Sequence, residues 1–129
     1  KLLKQKSIIF LLSDFLVLDF EQALRQTIKR HDLVAIGLED PRESELPALG
    51  LVDLRDPETG DRVLVDTADP LIREETARQA IALKEQRLKL FKRNRVDFIP
   101  LSTAGSYLEP LQRFFRQREK QKQAGGGAG

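Results

Sequence analysis

Cysteine is absent from the 129-residue chain, and its absence excludes several kinds of functional site. Disulfide frameworks, thiol nucleophiles and zinc or iron–sulfur centres with cysteine ligands all require a residue that the sequence does not contain. A chain without cysteine is typical of a reducing compartment, so we expect a cytoplasmic location. Histidine occurs once, and no histidine, cysteine or lysine stands at a spacing that would pair a nucleophile with its base. We therefore expect that the protein is not an enzyme.

Long hydrophobic runs are also lacking, which bears on membrane contact. The longest apolar stretch extends from Ile8 to Leu18, and Ser13 and Asp14 interrupt it, so it is too short to cross a bilayer. No signal peptide is expected before this stretch, because the sequence passes from Lys1 directly into structured sequence. We expect no membrane contact within these residues, while an anchor farther upstream in a longer protein stays open.

Charge is unevenly distributed along the chain, although the net charge is only +2. Residues 71–122 hold thirteen basic residues against six acidic ones, so this segment is basic and the remainder is acidic. A basic segment attracts phosphate or an acidic partner, which makes a nucleic-acid or phosphate-binding element one interpretation. The other interpretation is a set of helices whose charged faces simply meet solvent.

The first forty residues predict a strand, a helix and a second strand. Residues 7–13 form a continuous apolar run, which is typical of a parallel strand covered on both faces. Asp19 and Gln22 have the spacing of a capping box, and the apolar periodicity that follows predicts a helix of about three turns. Residues 32–38 form a second buried strand directly afterwards, so we expect the two strands to be parallel. His31 falls on the buried side of the helix near its end, where a core or capping role is favoured over catalysis.

The middle of the chain predicts a loop, a hairpin and a long helix. The segment 41–50 is rich in proline and acidic residues and has no periodicity, which indicates a surface loop. Residues 51–54 and 62–65 flank turn-forming residues that include Pro57, so we expect a short antiparallel hairpin. Asp69 followed by proline is a strong helix start, and the helix is expected to continue to about residue 95. Its buried stripe is predicted to comprise Ala77, Ile81, Leu88 and Phe91.

The last third of the chain predicts one more strand and one more helix. Residues 97–101 form a strand that Pro100 places near a sheet edge. Ser106 and Glu109 form a second capping box, and the helix is expected to dock through an apolar face. That face comprises Tyr107, Leu108, Leu111, Phe114 and Phe115. Residues 123–129 are rich in glycine and are expected to be disordered. The predicted fold class is α/β: a three-stranded parallel sheet with flanking helices and a β-hairpin insertion.

Candidate site residues lie at the carboxyl ends of the predicted parallel strands, where open sheets bind their ligands. These ends deliver Ser13 and Asp14, then Glu39 and Asp40, then Ser102 and Thr103. Their oxygens are of the kind that Mg²⁺ and Ca²⁺ prefer, with Asp14 as the one convincing metal ligand. Such an ion takes about six oxygens, so we expect an incomplete site and no bound cofactor. The alternative is that these residues only form turns and caps.

An ordered series of short motifs along the chain resembles one bacterial family. The motifs are Ile8 to Phe15, Arg30 to Ala35, Asp40 to Glu43, Leu46-Pro47, Glu58 to Gly60, Val65 to Thr67, Leu101 to Thr103, Tyr107-Leu108 and Leu111 to Arg118. They are similar to those of the domain-of-unknown-function family fifty-eight, whose members carry a von Willebrand factor A-like domain. The resemblance covers about residues 6–120, which is nearly the whole chain.

The resemblance implies a fold, a metal site and a partner. Residues 1–122 would form the carboxyl-terminal half of a von Willebrand factor A-like domain, which is Rossmann-like. The complete domain would hold Mg²⁺ at a metal-ion-dependent adhesion site, and only the aspartate after its fourth strand has a counterpart here, Asp14. Phe15 replaces the glycine that commonly follows that aspartate. Family members are encoded beside MoxR-type AAA ATPases, so the implied role is an adaptor or assembly partner of such an ATPase.

The resemblance also implies that the first strand lies at a sheet edge. A complete domain has the strand order 3-2-1-4-5-6, and the chain would hold only its last three strands. Unpaired backbone groups beside apolar side chains are a template for pairing with another chain, so we expect a dimer or larger homo-oligomer. The edge residues are Ile8, Ile9, Phe10 and Leu11.

The leading hypothesis is therefore a non-enzymatic protein-interaction module that partners an AAA ATPase and has no nucleic-acid partner. The alternative hypothesis is nucleic-acid or phosphate binding by the basic helices within residues 71–122, which steep salt dependence would reveal.

Overall fold

Five strands and four helices form within the part of the chain that the computed structural model describes, residues 3–44, 47–56 and 59–126. In chain order they are β1 (Ile8–Ser13), α1 (Glu21–Ile28), β2 (Asp32–Glu39), α2 (Pro41–Ser44), β3 (Leu51–Arg55), β4 (Arg62–Asp66), α3 (Pro70–Arg93), β5 (Asp97–Ser102) and α4 (Leu108–Gly125). The chain divides into two compact units, one formed by residues up to 39 and from 87 onward, the other by residues 40–86.

The first unit is built on a three-stranded parallel sheet in the order β1-β2-β5. Phe10 of β1 is in register with Val34 of β2, and Ile36 of β2 is in register with Ile99 of β5. The central strand β2 is buried over most of its length, because neighbours cover both of its edges and both of its faces. The predicted parallel α/β sheet is confirmed, as is the position of β5 at an edge.

One face of this sheet packs against α1 and the end of α3. Phe91 of α3 is only 1 % exposed, and its ring centroid lies 5.1 Å from that of Phe15 and 5.2 Å from that of Phe98. Burying one such side chain contributes about 1.5–3 kcal/mol, so the cluster accounts for much of the attachment of these helices. Its buried members are Phe15, Leu24, Leu33, Ala35, Leu90, Phe91 and Val96.

The opposite face of the sheet is covered by α4. Leu111 and Phe114, three residues apart on one side of α4, pack against a second buried cluster on β2 and β5. That cluster comprises Val34, Ile36, Ile99 and Leu101. Tyr107 and Leu108 remain 66 % and 55 % exposed, so their placement in the docking face was wrong. Phe115 is 46 % exposed, but its ring contacts that of Phe10 on β1.

The outer part of that same face, on β1, is left uncovered. Ile8, Phe10 and Leu12 are 55 %, 43 % and 58 % exposed, whereas Ile9 and Leu11 pack against the first cluster on the other face. The prediction of a strand covered on both faces was therefore wrong, because β1 lies at the sheet edge and α4 covers β2 and β5. The prediction of an edge strand is confirmed.

The second unit contains the predicted hairpin. Strands β3 and β4 are antiparallel, with Leu51 paired to Asp66 and Arg55 paired to Arg62. Thr67 follows β4 and is 1 % exposed, and its hydroxyl donates to the Gly50 carbonyl at 2.8 Å. The hairpin is confirmed, although Pro57 in its predicted turn lies outside the described residues.

The segments flanking the hairpin differ from the predictions in part. The predicted loop 41–50 begins with one helical turn, α2. The Asp69 carboxylate accepts a hydrogen bond from the Leu71 N–H at 2.9 Å, as expected of a helix start. The stripe predicted for α3 is confirmed for Phe91, which is buried, and was wrong for Ile81 and Leu88, which are 59 % and 52 % exposed. The buried residues of α3 are Arg87, Leu90 and Phe91, and a pattern of apolar residues cannot mark the arginine.

Neither predicted capping box forms. The caps of α1 and α4 are Phe20 and Tyr107, and neither helix has a side-chain hydrogen bond at its cap. Each helix begins later than predicted, so α1 has only eight residues. At the other end of the chain α4 continues to Gly125, because residues 116–123 are good helix formers, so the helix includes residues 123–125 of the segment for which disorder was expected. Residues 127–129 lie outside the described part of the chain.

Candidate functional site

The carboxyl ends of the three parallel strands meet at one edge of the sheet. Ser13 of β1 is in register with Gly37, and Glu39 of β2 is in register with Ser102 of β5. The Thr103 N–H donates to the Glu39 carbonyl at 2.9 Å and extends this pairing by one residue. The sheet therefore brings Ser13, Ser102 and Thr103 to a common rim. Asp40 follows Glu39 directly but belongs to the second compact unit.

The rim oxygens are engaged in local turns. The Ser13 hydroxyl accepts from the Phe15 N–H at 3.0 Å, and the Asp14 carboxylate accepts from the Leu16 N–H at 3.3 Å. The Asp40 carboxylate accepts from the Arg42 N–H at 2.9 Å and the Ser102 hydroxyl from the Ala104 N–H at 3.2 Å. Each bond reaches two residues along the chain, which is the geometry of Asx and serine turns. The rim residues thus shape the loops that leave the sheet.

Metal binding at the rim depends on neighbouring ligands. Within residues 3–44, 47–56 and 59–126, no three His, Cys, Asp or Glu side chains are grouped so that they could hold an ion. Asp14 as a metal ligand therefore stays a prediction, which needs further ligands from outside these residues.

A buried arginine lies behind the rim, and the sequence patterns did not identify it. Arg87 of α3 is 5 % exposed and forms an ion pair with Glu39 at the end of β2. Its guanidinium lies 4.8 Å from the centroid of the Phe98 ring, at the range of a cation–π contact. Within the described residues, Arg87 Nε is the buried side-chain nitrogen that has no hydrogen-bond partner. The pair fixes the end of α3 to the end of β2.

Gly37 leaves space for the Phe98 ring on which Arg87 lies. A Cβ atom added at Gly37 would lie 2.5 Å from Cζ of Phe98 and 3.7 Å from Cδ2 of Phe15. Phe15 is buried and has a φ of 51°, a left-handed conformation that directs the chain away from the sheet. A glycine inside an otherwise apolar strand indicates such a close approach of neighbouring side chains. Gly37 was therefore the one signal in the sequence that could have located the packing of Phe15 and Phe98 next to the rim.

The second surface of interest is the uncovered side of β1, which we call the β1 strip and define as Ile8, Phe10 and Leu12. Phe115 of α4 borders it, with its ring centroid 6.1 Å from that of Phe10 in an edge-to-face contact. No strand pairs with the outer edge of β1 within the part of the chain that the structure describes. Of the four predicted edge residues, Ile8 and Phe10 lie in the strip, and Ile9 and Leu11 face the core.

The amino end of the sheet carries two ion-pair networks. Arg118 of α4 bonds to Asp32 and Asp97, the first residues of β2 and β5. These contacts hold the pKa of the Asp32 carboxyl below its ordinary value and raise the pKa of Arg118, with the mutual hydrogen bond as the main cause. On the other face, hydrogen bonds from Arg93 and then Asn94 lower the pKa of Glu21 to about 2. The first network attaches α4 to the sheet, and the second joins α1 to the end of α3.

His31 is structural, as predicted. It follows α1, is partly buried, and its Nδ1 accepts a hydrogen bond from the Ser7 N–H at 3.2 Å. This bond ties the segment before β1 to the segment before β2.

None of the helices within the described residues combines the length and the apolar character that a membrane span requires.

Comparison with known proteins gives one finding. The model of a family described as "Protein of unknown function DUF58" matches residues 1–86. A search of the curated proteins found no match, and neither did a search of the solved structures.

Proposed function

The chain belongs to the DUF58 family, as its motifs predicted, and from this membership we propose that it acts as a protein-interaction module rather than as an enzyme. The observation that supports the proposal best is the β1 strip, a row of three exposed apolar side chains beside an unpaired strand edge. Natural sheets usually protect such edges with charge, proline or a covering element. Residues 8–13 contain none of the charged residues or prolines that would do so.

Burial of the β1 strip by a partner would contribute to the free energy of binding. Fully burying one Ile, Leu or Phe side chain contributes about 1.5–3 kcal/mol, and each of these is already about half covered. Its three residues would then contribute on the order of 3 kcal/mol, to which paired backbone groups and Phe115 would add. We propose that the partner adds a strand to β1 and covers the strip at the same time.

A second copy of the chain fits this description. A twofold axis perpendicular to the sheet pairs β1 with its copy in antiparallel fashion and keeps each face on the same side. If the axis passes at Phe10, Ile8 faces Leu12 of the copy, and Lys6 faces Asp14 of the copy. The cross-strand pairs are then apolar in the middle and oppositely charged at both ends, which favours this register over its neighbours.

The family resemblance adds a second partner to the proposal. We propose that the module serves as an adaptor or assembly partner for a MoxR-type AAA ATPase. The rim residues Ser13, Asp14, Ser102 and Thr103 of the first unit would supply polar contacts to that partner. Their hydroxyls and carboxylate are exposed or only partly buried, so their remaining hydrogen-bonding capacity can meet another protein.

A binding assay with such an ATPase tests this function. The chain is immobilised, and a purified MoxR-type ATPase from the same organism is passed over it. We expect retention by the wild type, and strongly reduced retention by Phe10→Lys and by Asp14→Ala. Leu64→Lys is the matched control, because Leu64 is also an exposed strand residue, 67 % exposed, in the second unit. Failure of the wild type to retain the ATPase would remove this partner from the proposal, and an equal loss in the control would show a nonspecific effect.

The alternative function, nucleic-acid binding by the basic helices, draws less support from the contacts. Phe91 is buried and Phe114 packs against the sheet, so neither ring offers a face on which a base could stack. Arg87, Arg93 and Arg118 are each bonded to carboxylates of the same unit, which lowers the charge they present to a phosphate backbone. The alternative stays a prediction that titration with DNA at several salt concentrations would test.

A further inference from the structure

A basic cleft lies at the amino end of the parallel sheet, opposite to the rim. Its volume is about 450 Å³, and adjoining depressions share several of its residues. Four of its lining residues are cationic: Lys6, Lys29, Arg30 and Arg95. They come from the three segments that precede β1, β2 and β5, so the fold gathers charges that are far apart in sequence.

The backbone of these segments is fixed by hydrogen bonds. The Thr27 carbonyl accepts from the N–H groups of Arg30 and His31, which ends α1, and the Asp32 N–H donates to the Ser7 carbonyl at 2.9 Å. Arg95 donates its N–H to the Lys92 carbonyl just after α3. The cations are therefore carried on an ordered frame.

The lining of the cleft holds more positive than negative charge, with four cations and one carboxylate, Asp32, whose pKa Lys6 helps to lower. None of the four cations forms an ion pair within 4.0 Å among the residues that the structure describes. The one carboxylate in the lining, Asp32, is already bonded to Arg118 through both of its oxygens. By contrast, Arg87, Arg93 and Arg118 of the same unit all have carboxylate partners. Cations after a helix stabilise its carboxyl end, which accounts in part for Lys29, Arg30 and Arg95 but not for Lys6.

Two further observations indicate a binding role. Arg95 has a φ of 55°, a left-handed conformation at a position just after a helix where glycine is the favoured residue. A left-handed conformation costs free energy for arginine, and a contact made by its side chain would offset that cost. His31 accepts a hydrogen bond at Nδ1, so its Nε2 carries the proton and gives the cleft one more donor.

From these observations we propose that the cleft binds a phosphate-bearing anion. Lysine supplies compact positive charge and arginine supplies paired donors, which together match phosphate oxygens. The site lies at the other end of the strands from the rim and uses none of the residues of the β1 strip. Lys6 is shared with the register proposed for two copies, so the variants that test the cleft change Arg30 and Arg95 instead. A soluble phosphate compound and an anionic lipid headgroup share this chemistry.

Titration with inorganic pyrophosphate at low salt tests the site. We expect Arg30→Gln/Arg95→Gln to weaken binding about tenfold, because two charge-assisted contacts are lost. The matched control is Arg116→Gln/Lys120→Gln, which removes the same charge from exposed positions on α4 of the same unit, and its affinity should change less than about twofold. An equal loss in both double variants would overturn the proposal, because binding would then follow net charge alone.

Arg95→Gly separates binding from stability. Glycine relieves the left-handed strain, so this variant should melt at a higher temperature than the wild type and still bind pyrophosphate several times more weakly. Undiminished binding by Arg95→Gly would remove Arg95 from the site and contradict the argument from its conformation.

Vesicles distinguish the two sources of phosphate. Sedimentation with phosphatidylglycerol vesicles but not with phosphatidylcholine vesicles, lost in Arg30→Gln/Arg95→Gln, would identify a lipid headgroup. Binding of pyrophosphate without binding to vesicles would identify a soluble compound. Absence of binding to both probes would overturn the proposal.

Discussion

Arg118 of α4 donates hydrogen bonds to both carboxylate oxygens of Asp32, the first residue of β2, at 2.6 and 3.0 Å. The same guanidinium donates to Asp97, the first residue of β5, at 2.8 and 3.1 Å, and stacks on Phe114. One side chain thereby fixes α4 across β2 and β5. This position of α4 is the reason why the β1 strip stays uncovered.

Removing this guanidinium should loosen α4. We expect Arg118→Gln to lower the free energy of unfolding by about 1–2 kcal/mol, the lower part of the range for hydrogen bonds to charged groups, because Asp32 is partly exposed to screening by solvent. Urea denaturation measures the change. Arg116→Gln, two residues earlier on the exposed side of α4, should alter it by less than about 0.5 kcal/mol, and similar losses in both variants would contradict the assigned role.

Glu21 predicts a dependence of stability on acid pH. Its folded pKa of about 2 lies below the ordinary value of 4.5, so the unfolded chain binds more protons between these values. The stabilisation from Glu21 is complete above about pH 4.5 and is lost as the pH falls towards 2. Wild type and Glu21→Gln should therefore differ in free energy of unfolding at pH 6 and converge near pH 2. A difference that stays constant across this range would contradict the shift.

Gly37 should tolerate no side chain. A Cβ atom at this position would lie 2.5 and 2.7 Å from two atoms of the partly buried Phe98 ring, so Gly37→Ala should destabilise the fold by about 1–3 kcal/mol. Gly105→Ala is the control, because the nearest atom to its Cβ is 4.0 Å away. Thermal unfolding of the two variants measures the difference. Equal melting temperatures would show that the Phe98 ring can move aside without loss of stability.

The register proposed for two copies can be tested by exchanging charges. Lys6→Asp and Asp14→Lys should each weaken self-association about two- to fivefold, since each places like charges opposite one another. The double variant Lys6→Asp/Asp14→Lys restores opposite charges and should recover most of the affinity. Sedimentation equilibrium gives the dimer dissociation constant of each variant. A double variant that self-associates more weakly than both single variants would refute the register.

The sequence predicted the parallel sheet and the hairpin because both depend on local patterns. Residues 7–13 and 32–38 are apolar runs of strand length separated by one helix, and turn formers mark the hairpin. The resemblance to a family added the edge position of β1, which the apolar run alone misrepresented. An apolar run shows that a strand is apolar on both faces, and the surrounding elements determine whether both faces are covered.

The contacts that build the rim and the cleft could not be predicted from spacing. Arg87 and Glu39 are 48 positions apart, and the cationic residues of the cleft come from three separate segments. The two capping boxes failed for a related reason. Asp19 and Ser106 have suitable side chains, but the helices begin one or two residues later, where tertiary packing of α1 and α4 sets the start.

Sedimentation velocity of the wild type and Phe10→Lys, from low to high micromolar concentration, tests the role of the β1 strip most directly. We expect the wild type to pass from monomer to dimer over this range and Phe10→Lys to stay monomeric while it keeps its circular dichroism spectrum. A wild type that remains a single monomeric species at high micromolar concentration would contradict this role of the strip.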